Sequence, residues 1–131
     1  MIRRKGGFTL LEVMVAAVII AVGFAAVWRA TGLAADALEL TRSKTLAMWA
    51  AKDKIVEYRV MNIWPEVGET NGDVAAGKET FFMRETVSQT PSVNFRKVKI
   101  EISRRANDGY ILARLTGYFI NEKALLEKTG K

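Results

Sequence analysis

The chain has no cysteine and no histidine. Without cysteine there is no disulfide, no thiolate zinc site, no iron–sulfur cluster and no cysteine nucleophile. Without histidine the commonest general base is missing, as is the usual ligand for zinc, copper or haem. Catalysis would have to run on carboxylates, lysine, tyrosine or hydroxyls, and none of these stands beside a plausible base. Gly6-Gly7 lacks the preceding strand and the Lys-Ser/Thr ending of a phosphate-binding loop. Charge is scarce too once its placement is considered. The net charge is +6, and Arg3, Arg4 and Lys5 supply three of those charges. The rest carries 17 Lys/Arg (20 less these three) against 14 Asp/Glu, a balance of +3 that is weak support for nucleic-acid binding. What remains is 131 residues, half of them apolar, which suffices for one small domain with a core and argues against disorder.

Phe8 to Trp28 is a run of 21 residues with a single charge, Glu12. As a helix it would extend about 31 Å, the thickness of a bilayer's hydrocarbon core. The basic triplet before it would stay cytoplasmic, which puts the C-terminal bulk on the far side of the membrane. A secretory signal peptide would have a shorter apolar run and a small-x-small cleavage site, and Trp28-Arg29 offers none. A buried core helix would show a polar face, and this run has none. Glu12 is the odd residue: a carboxylate one turn into an apolar span costs roughly 2.5–3.5 kcal/mol, less near an interface. Its own apolar run holds no partner for it.

Gly6-Gly7-Phe8-Thr9-Leu10-Leu11-Glu12 resembles the processing site of type IV prepilins and type II secretion pseudopilins. The likeness lies in a short basic leader, a glycine, a phenylalanine, and a glutamate four residues later that opens an apolar helix. The resemblance implies cleavage by a prepilin peptidase between Gly7 and Phe8 and methylation of the new amino terminus on Phe8. It implies also that Glu12 docks a subunit into a filament by meeting the terminal amine of its neighbour. Elementary electrostatics supports the pairing, since the new cation and Glu12 would be opposite charges at one depth in a low dielectric. Two alternatives stay open. Glu12 can neutralise its own Phe8 amine one helical turn away, or it can be a tolerated interfacial carboxylate.

Beyond Trp28 the helix is expected to continue to about residue 61, because Arg29 to Met61 contains no proline and only Gly32 as a weak point. Leu33, Ala37, Leu40, Ala47, Ala51, Ile55 and Tyr58 fall in one stripe, interrupted by Lys44; Leu38, Trp49, Val56 and Val60 fall in a second. Two stripes suit a helix that packs on a sheet and on a neighbouring helix; one broad core face with an exposed Trp49 is the plainer reading. Trp64-Pro65 is expected to end the helix. Residues 66–78, with three glycines and an Asn-Gly pair, read as a loop. Three strands should follow: Glu79–Val87 with Phe81, Met83 and Val87 together; Phe95–Ser103 with Val98, Ile100 and Ile102 inward; and Tyr110–Ile120 with Ile111, Ala113, Leu115 and Phe119 together. Asn107-Asp108-Gly109 is a good hairpin turn. Residues 121–131 read as a polar tail with helical character.

A closer likeness lies mid-chain. Lys44 to Ala51, Glu57-Tyr58-Arg59, Trp64-Pro65, Gly68, and Thr90-Pro91 ahead of Arg96-Lys97-Val98 are similar to the minor pseudopilin I family of type II secretion. Lys52-Asp53 depart from it, standing where that family usually has an acidic residue and Asn. The expected fold is α+β and pilin-like: a long N-terminal helix, membrane-spanning in its first half, against a small antiparallel sheet of about three strands. The expected organisation is a cleaved leader over 1–7, a transmembrane half over 8–29 and a periplasmic domain over 30–131. The resemblance implies a single-pass inner-membrane subunit near the tip of a pseudopilus, which helps start assembly and drive export. Its partners would be other minor pseudopilins, the major pseudopilin, the prepilin peptidase and inner-membrane lipid. Ala47, Ala51, Ile55 and Trp49 are the candidate subunit contacts. A minor pilin of a type IV pilus is the alternative within the fold, and a membrane-tethered periplasmic enzyme the alternative outside it.

Other chemistry is weaker. Glu66, Glu69, Asn71 and Asp73 place four oxygen donors in the expected loop, but their spacing matches no EF-hand, and no metal or other cofactor is assigned. Arg96, Lys97, Lys99, Arg104 and Arg105 cluster on or near one strand. Phe95 is the only aromatic among them that could stack on bases, so a solvated sheet face is preferred to a nucleic-acid partner.

Overall fold

In the computed structural model, residues 6–130 are described. They form α1 (Leu10–Val60), β1 (Gly68–Ala76), β2 (Glu79–Gln89), β3 (Phe95–Ser103), β4 (Ile111–Ile120) and α2 (Glu122–Thr129). The chain divides into two units, Met1–Leu40 and Thr41–Lys131.

In the first unit every described residue is exposed. Its helical part is long and apolar enough to cross a membrane. The rings of Phe24 and Trp28, one turn apart, stack with centroids 6.5 Å apart.

The second unit lays the remainder of α1 on one face of a four-stranded antiparallel meander, β1-β2-β3-β4. Ala47, Ala51 and Ile55 meet Phe81 and Val87 of β2, Val98, Ile100 and Ile102 of β3, and Leu112, Ala113 and Phe119 of β4 in one core. Alanines at this spacing let the helix lie close to the strands. Gly117, opposite Val98 in the register, extends that approach: a Cβ there would lie 3.0 Å from Ile55 Cδ1. Polar contacts pin both ends of the interface. Arg104 donates to the buried Ser43 hydroxyl at 3.0 Å. At the other end Arg96 lies over the Trp64 ring, 4.5 Å from its centroid, and donates to the Pro65 carbonyl.

Four features differ from the sequence expectation. Residues 68–76, expected as loop, are strand β1, so the sheet has four strands rather than three. Asn71-Gly72 sits inside that strand, and the turn is made by Gly77-Lys78, where Gly77 at φ +63° takes the left-handed conformation a tight hairpin needs. The helix ends before Trp64-Pro65, at a Schellman stop: Ile63 N–H donates to the Tyr58 carbonyl at 3.0 Å and Asn62 N–H to the Arg59 carbonyl at 3.3 Å, with Asn62 at φ +52°. Finally, the β3–β4 register shifts at Ile102/Ser103, which inserts Leu112 as an extra residue between the partners Ala113 and Ile111. The alternation breaks there, so Leu112 joins the core and Ile111 is only half-buried. The tail folds as α2, capped by Asn121, whose side chain accepts from Ala124 N–H at 3.2 Å.

Candidate assembly site

Gly6 to Thr9 precede the helix and are exposed, Phe8 to 84%. The Gly7–Phe8 bond is therefore not part of the helical hydrogen-bond ladder, and a peptidase can take it in an extended form. Thr9 is the cap that sets this boundary. Its carbonyl accepts from Val13 N–H and its hydroxyl from Glu12 N–H, both at 3.2 Å. Thr9-x-x-Glu12 is a capping-box sequence, a signal present in the chain beside the processing motif. The cap changes the energetics of Glu12. A carboxylate in the first turn meets the positive end of the helix dipole, worth typically 0.3–1 kcal/mol. That offsets only part of the ~2.5–3.5 kcal/mol cost of an apolar depth. Among the described residues Glu12 makes no ion pair.

The cap bears also on the intramolecular alternative. Phe8 lies outside the helix, ahead of the capping residue. In the uncut chain Phe8 therefore lies outside the helical turn that holds Glu12, and it carries a free amine for self-neutralisation only once the bond before it is cut.

The proposed contact stripe separates in two. Ala47 and Ala51 have no exposed surface and Ile55 almost none, because they form the chain's own core beneath the sheet. They are thus corrected from subunit contacts to core residues. Trp49, on the far face of α1, is 59% exposed, as are Val56 and Val60 by more than half. This second apolar stripe is uncovered in the single chain.

The other candidate residues have structural roles. Glu69, Asn71 and Asp73 alternate along β1, so successive side chains stand about 7 Å apart and do not converge on an ion. Glu69 instead faces Arg84 at 3.4 Å. No group of three or more acidic, Cys or His residues able to hold a metal occurs among the described residues. Of the basic cluster, Arg96 is held by Trp64 and Pro65, Arg104 by Ser43, and Lys99 by Glu101 at 3.6 Å. Glu101 also receives Arg114 at 2.7 Å. One half-buried pair joins residues 27 apart in the chain, beyond the reach of local pattern. Tyr58 OH donates to the buried Glu85 carboxylate at 2.6 Å. Burial first, then this bond and the negative charges of Glu85 and Glu57, raise the Tyr58 hydroxyl pKa well above its ordinary value.

The sequence profile described as "Type II secretion system (T2SS), protein I" matches residues 42–119. That span runs from the last exposed turn of α1 to the end of β4 and takes in the whole sheet and its helix. The chain belongs to the type II secretion system protein I family. A second profile, "Prokaryotic N-terminal methylation motif", matches residues 2–28. Among similar proteins, "Type II secretion system protein I" of Klebsiella pneumoniae is 29% identical over 116 residues, 88% of this chain and 96% of the relative. Those of Aeromonas hydrophila and Pseudomonas aeruginosa are each 30% identical, over 73% and 79% of this chain and 81% and 80% of the relative. In this family member the exposed Gly7–Phe8 bond, the capped apolar helix and the helix-on-sheet unit follow one another in a single chain.

Proposed function

We propose that the chain works as a minor pseudopilin: a structural subunit of the type II secretion pseudopilus whose first event is cleavage between Gly7 and Phe8. The observation that carries this is the exposed, non-helical Gly7–Phe8 bond, set directly before a Thr9-capped apolar helix in which Glu12 is the only charge up to Trp28. Cleavage leaves a cation on Phe8, which is then methylated. Glu12 of one subunit receives the Phe8 amine of its neighbour as the filament grows. The basic leader holds the amino terminus in the cytoplasm, so the single span through the inner membrane delivers the sheet domain to the periplasm. There the exposed Trp49, Val56 and Val60 stripe meets other minor pseudopilins at the tip, and the major pseudopilin extends below. The work is packing and not bond-making.

Mass spectrometry of the protein from cells with active prepilin peptidase tests the first step. An N-methylated Phe8 terminus is expected, and retention of Met1 would refute the reading. Glu12→Ala is expected to leave the domain folded while secretion of the system's exported protein falls at least tenfold. Unchanged secretion would remove Glu12 from docking.

A further inference from the structure

We propose that the outer edge of β1 takes an extended polypeptide segment as a fifth strand, one with two basic side chains four residues apart among alternating apolar ones. β1 is the terminal strand of the sheet and pairs only with β2. No backbone bond from another described element reaches its other edge. The two-residue turn at Gly77-Lys78 fixes which groups face outward. Ala76 and Glu79 flank the turn as a hydrogen-bonded pair, so Val74, Gly72 and Thr70 also turn their amides toward β2. The N–H and C=O of Glu69, Asn71, Asp73 and Ala75 therefore point to the open edge. Exposed edges are ordinarily guarded by proline, lysine or a bulge. β1 has no proline, lysine or bulge; its only charges are Glu69 and Asp73, and its register runs unbroken for nine residues.

The side chains specify the occupant. Glu69 and Asp73 lie on the face away from the helix, four residues apart, with Glu66 just before the strand; Arg84 of β2 meets Glu69 from the ladder side at 3.4 Å, so Asp73 is the carboxylate of the two without an ion pair among the described residues. An antiparallel strand centred on Asn71 with the same sequence would set Glu69 against Asp73, so a second copy pairing β1 to β1 meets like charges directly opposite. A strand with basic residues at matching positions meets opposite ones. On the helix side Gly72, Val74 and Ala76 are half-buried and leave apolar surface for alternate apolar side chains to cover. Such strand addition takes its affinity from main-chain hydrogen bonds and its selectivity from alternate side chains.

The test is fluorescence anisotropy of a labelled peptide, Val-Lys-Val-Thr-Val-Lys-Val, titrated with the full chain in detergent. Binding is expected to weaken about tenfold or more for Asn71→Pro, which removes an edge-facing N–H without touching the β1–β2 ladder. The same loss is expected when the peptide's edge-facing amides are N-methylated, an arm that uses the unaltered protein and stands even if Asn71→Pro misfolds. Glu69→Lys with Asp73→Lys should shift preference to Val-Glu-Val-Thr-Val-Glu-Val. Absence of binding at millimolar peptide would overturn the proposal, as would indifference to N-methylation. So would a concentration-dependent dimer abolished by Asn71→Pro, which would give the edge to a second copy.

Discussion

Tyr58→Phe removes one oxygen and leaves the ring in place against Phe119, where the two centroids are 5.7 Å apart and the planes 75° from parallel. The oxygen it removes is the donor to Glu85, whose residue is 5% exposed. At 2.6 Å the bond has the length of a hydroxyl bound to a charged carboxylate. Such bonds contribute about 1.5–3 kcal/mol, and losing the donor strands a buried acceptor. A fall in melting temperature of roughly 6–20 °C is therefore expected for a domain of this size. The assay is thermal unfolding of the full chain in detergent, followed by circular dichroism at neutral pH. The double variant Tyr58→Phe with Glu85→Met removes both polar partners, and stability should recover most of the loss. A Tyr58→Phe loss below about 0.5 kcal/mol, or a double variant no better than the single, would show that the bond does not hold the helix to the sheet.

Further outcomes follow from the same geometry. The Tyr58 hydroxyl pKa is raised on folding, so its contribution is fully present below pH ~10 and is lost as pH rises beyond that; alkaline unfolding should be steeper for the native chain than for Tyr58→Phe. Gly117→Val pushes a branched side chain into Ile55 Cδ1 and should cost about 1–3 kcal/mol in thermal melts, whereas Gly117→Ala with Ile55→Val should melt close to the native chain. Gly77→Val at φ +63° should cost about 1–2 kcal/mol by the same assay, and Asn62→Gly at φ +52° nothing or a slight gain. Trp49→Ala, on the exposed face, should leave the melting temperature within a degree or two but weaken co-purification with partner subunits.

The parts of the fold written in local pattern were legible. The inward Val98, Ile100 and Ile102 and the helical spacing of Ala47, Ala51 and Ile55 are one-dimensional signals that burial obeys, and the apolar span is one that helix length obeys. What periodicity does not carry is the identity of the covering surface. An alanine stripe reads the same whether a sheet or a neighbouring subunit lies on it, which is why the core stripe was assigned outward. β1 escaped notice because Gly68, Asn71, Gly72 and Asp73 have the composition of a turn; the strand exists through its ladder with β2, a tertiary cause. Leu112 was missed because a bulge reverses alternation from that point. Glu85 carries no local signal of its role, because its partner stands 27 residues away on the helix. At the amino terminus the processing motif was read, while the Thr9 cap embedded in it, a local signal, was not.

That cap sharpens the case for a polymer. Glu12 in an apolar layer costs ~2.5–3.5 kcal/mol, and the helix end returns ~0.3–1. At full apolar depth about 2 kcal/mol would stay unrelieved, a factor of roughly 30 in favour of any state that supplies a cation there, and less where the first turn lies near the interface. The amine that the proposed cleavage would free on Phe8 is such a cation, available only once the leader is removed. In the uncut chain Phe8 stands outside the helix, ahead of the residue that caps it. Thr9 thus begins the helix after Phe8 and leaves the Gly7–Phe8 bond outside it, as the proposed cleavage requires. If Thr9→Val, which deletes the capping hydroxyl but keeps the shape, raised the fraction of cleaved but unassembled subunits, helix capping and docking would be joined through this one side chain.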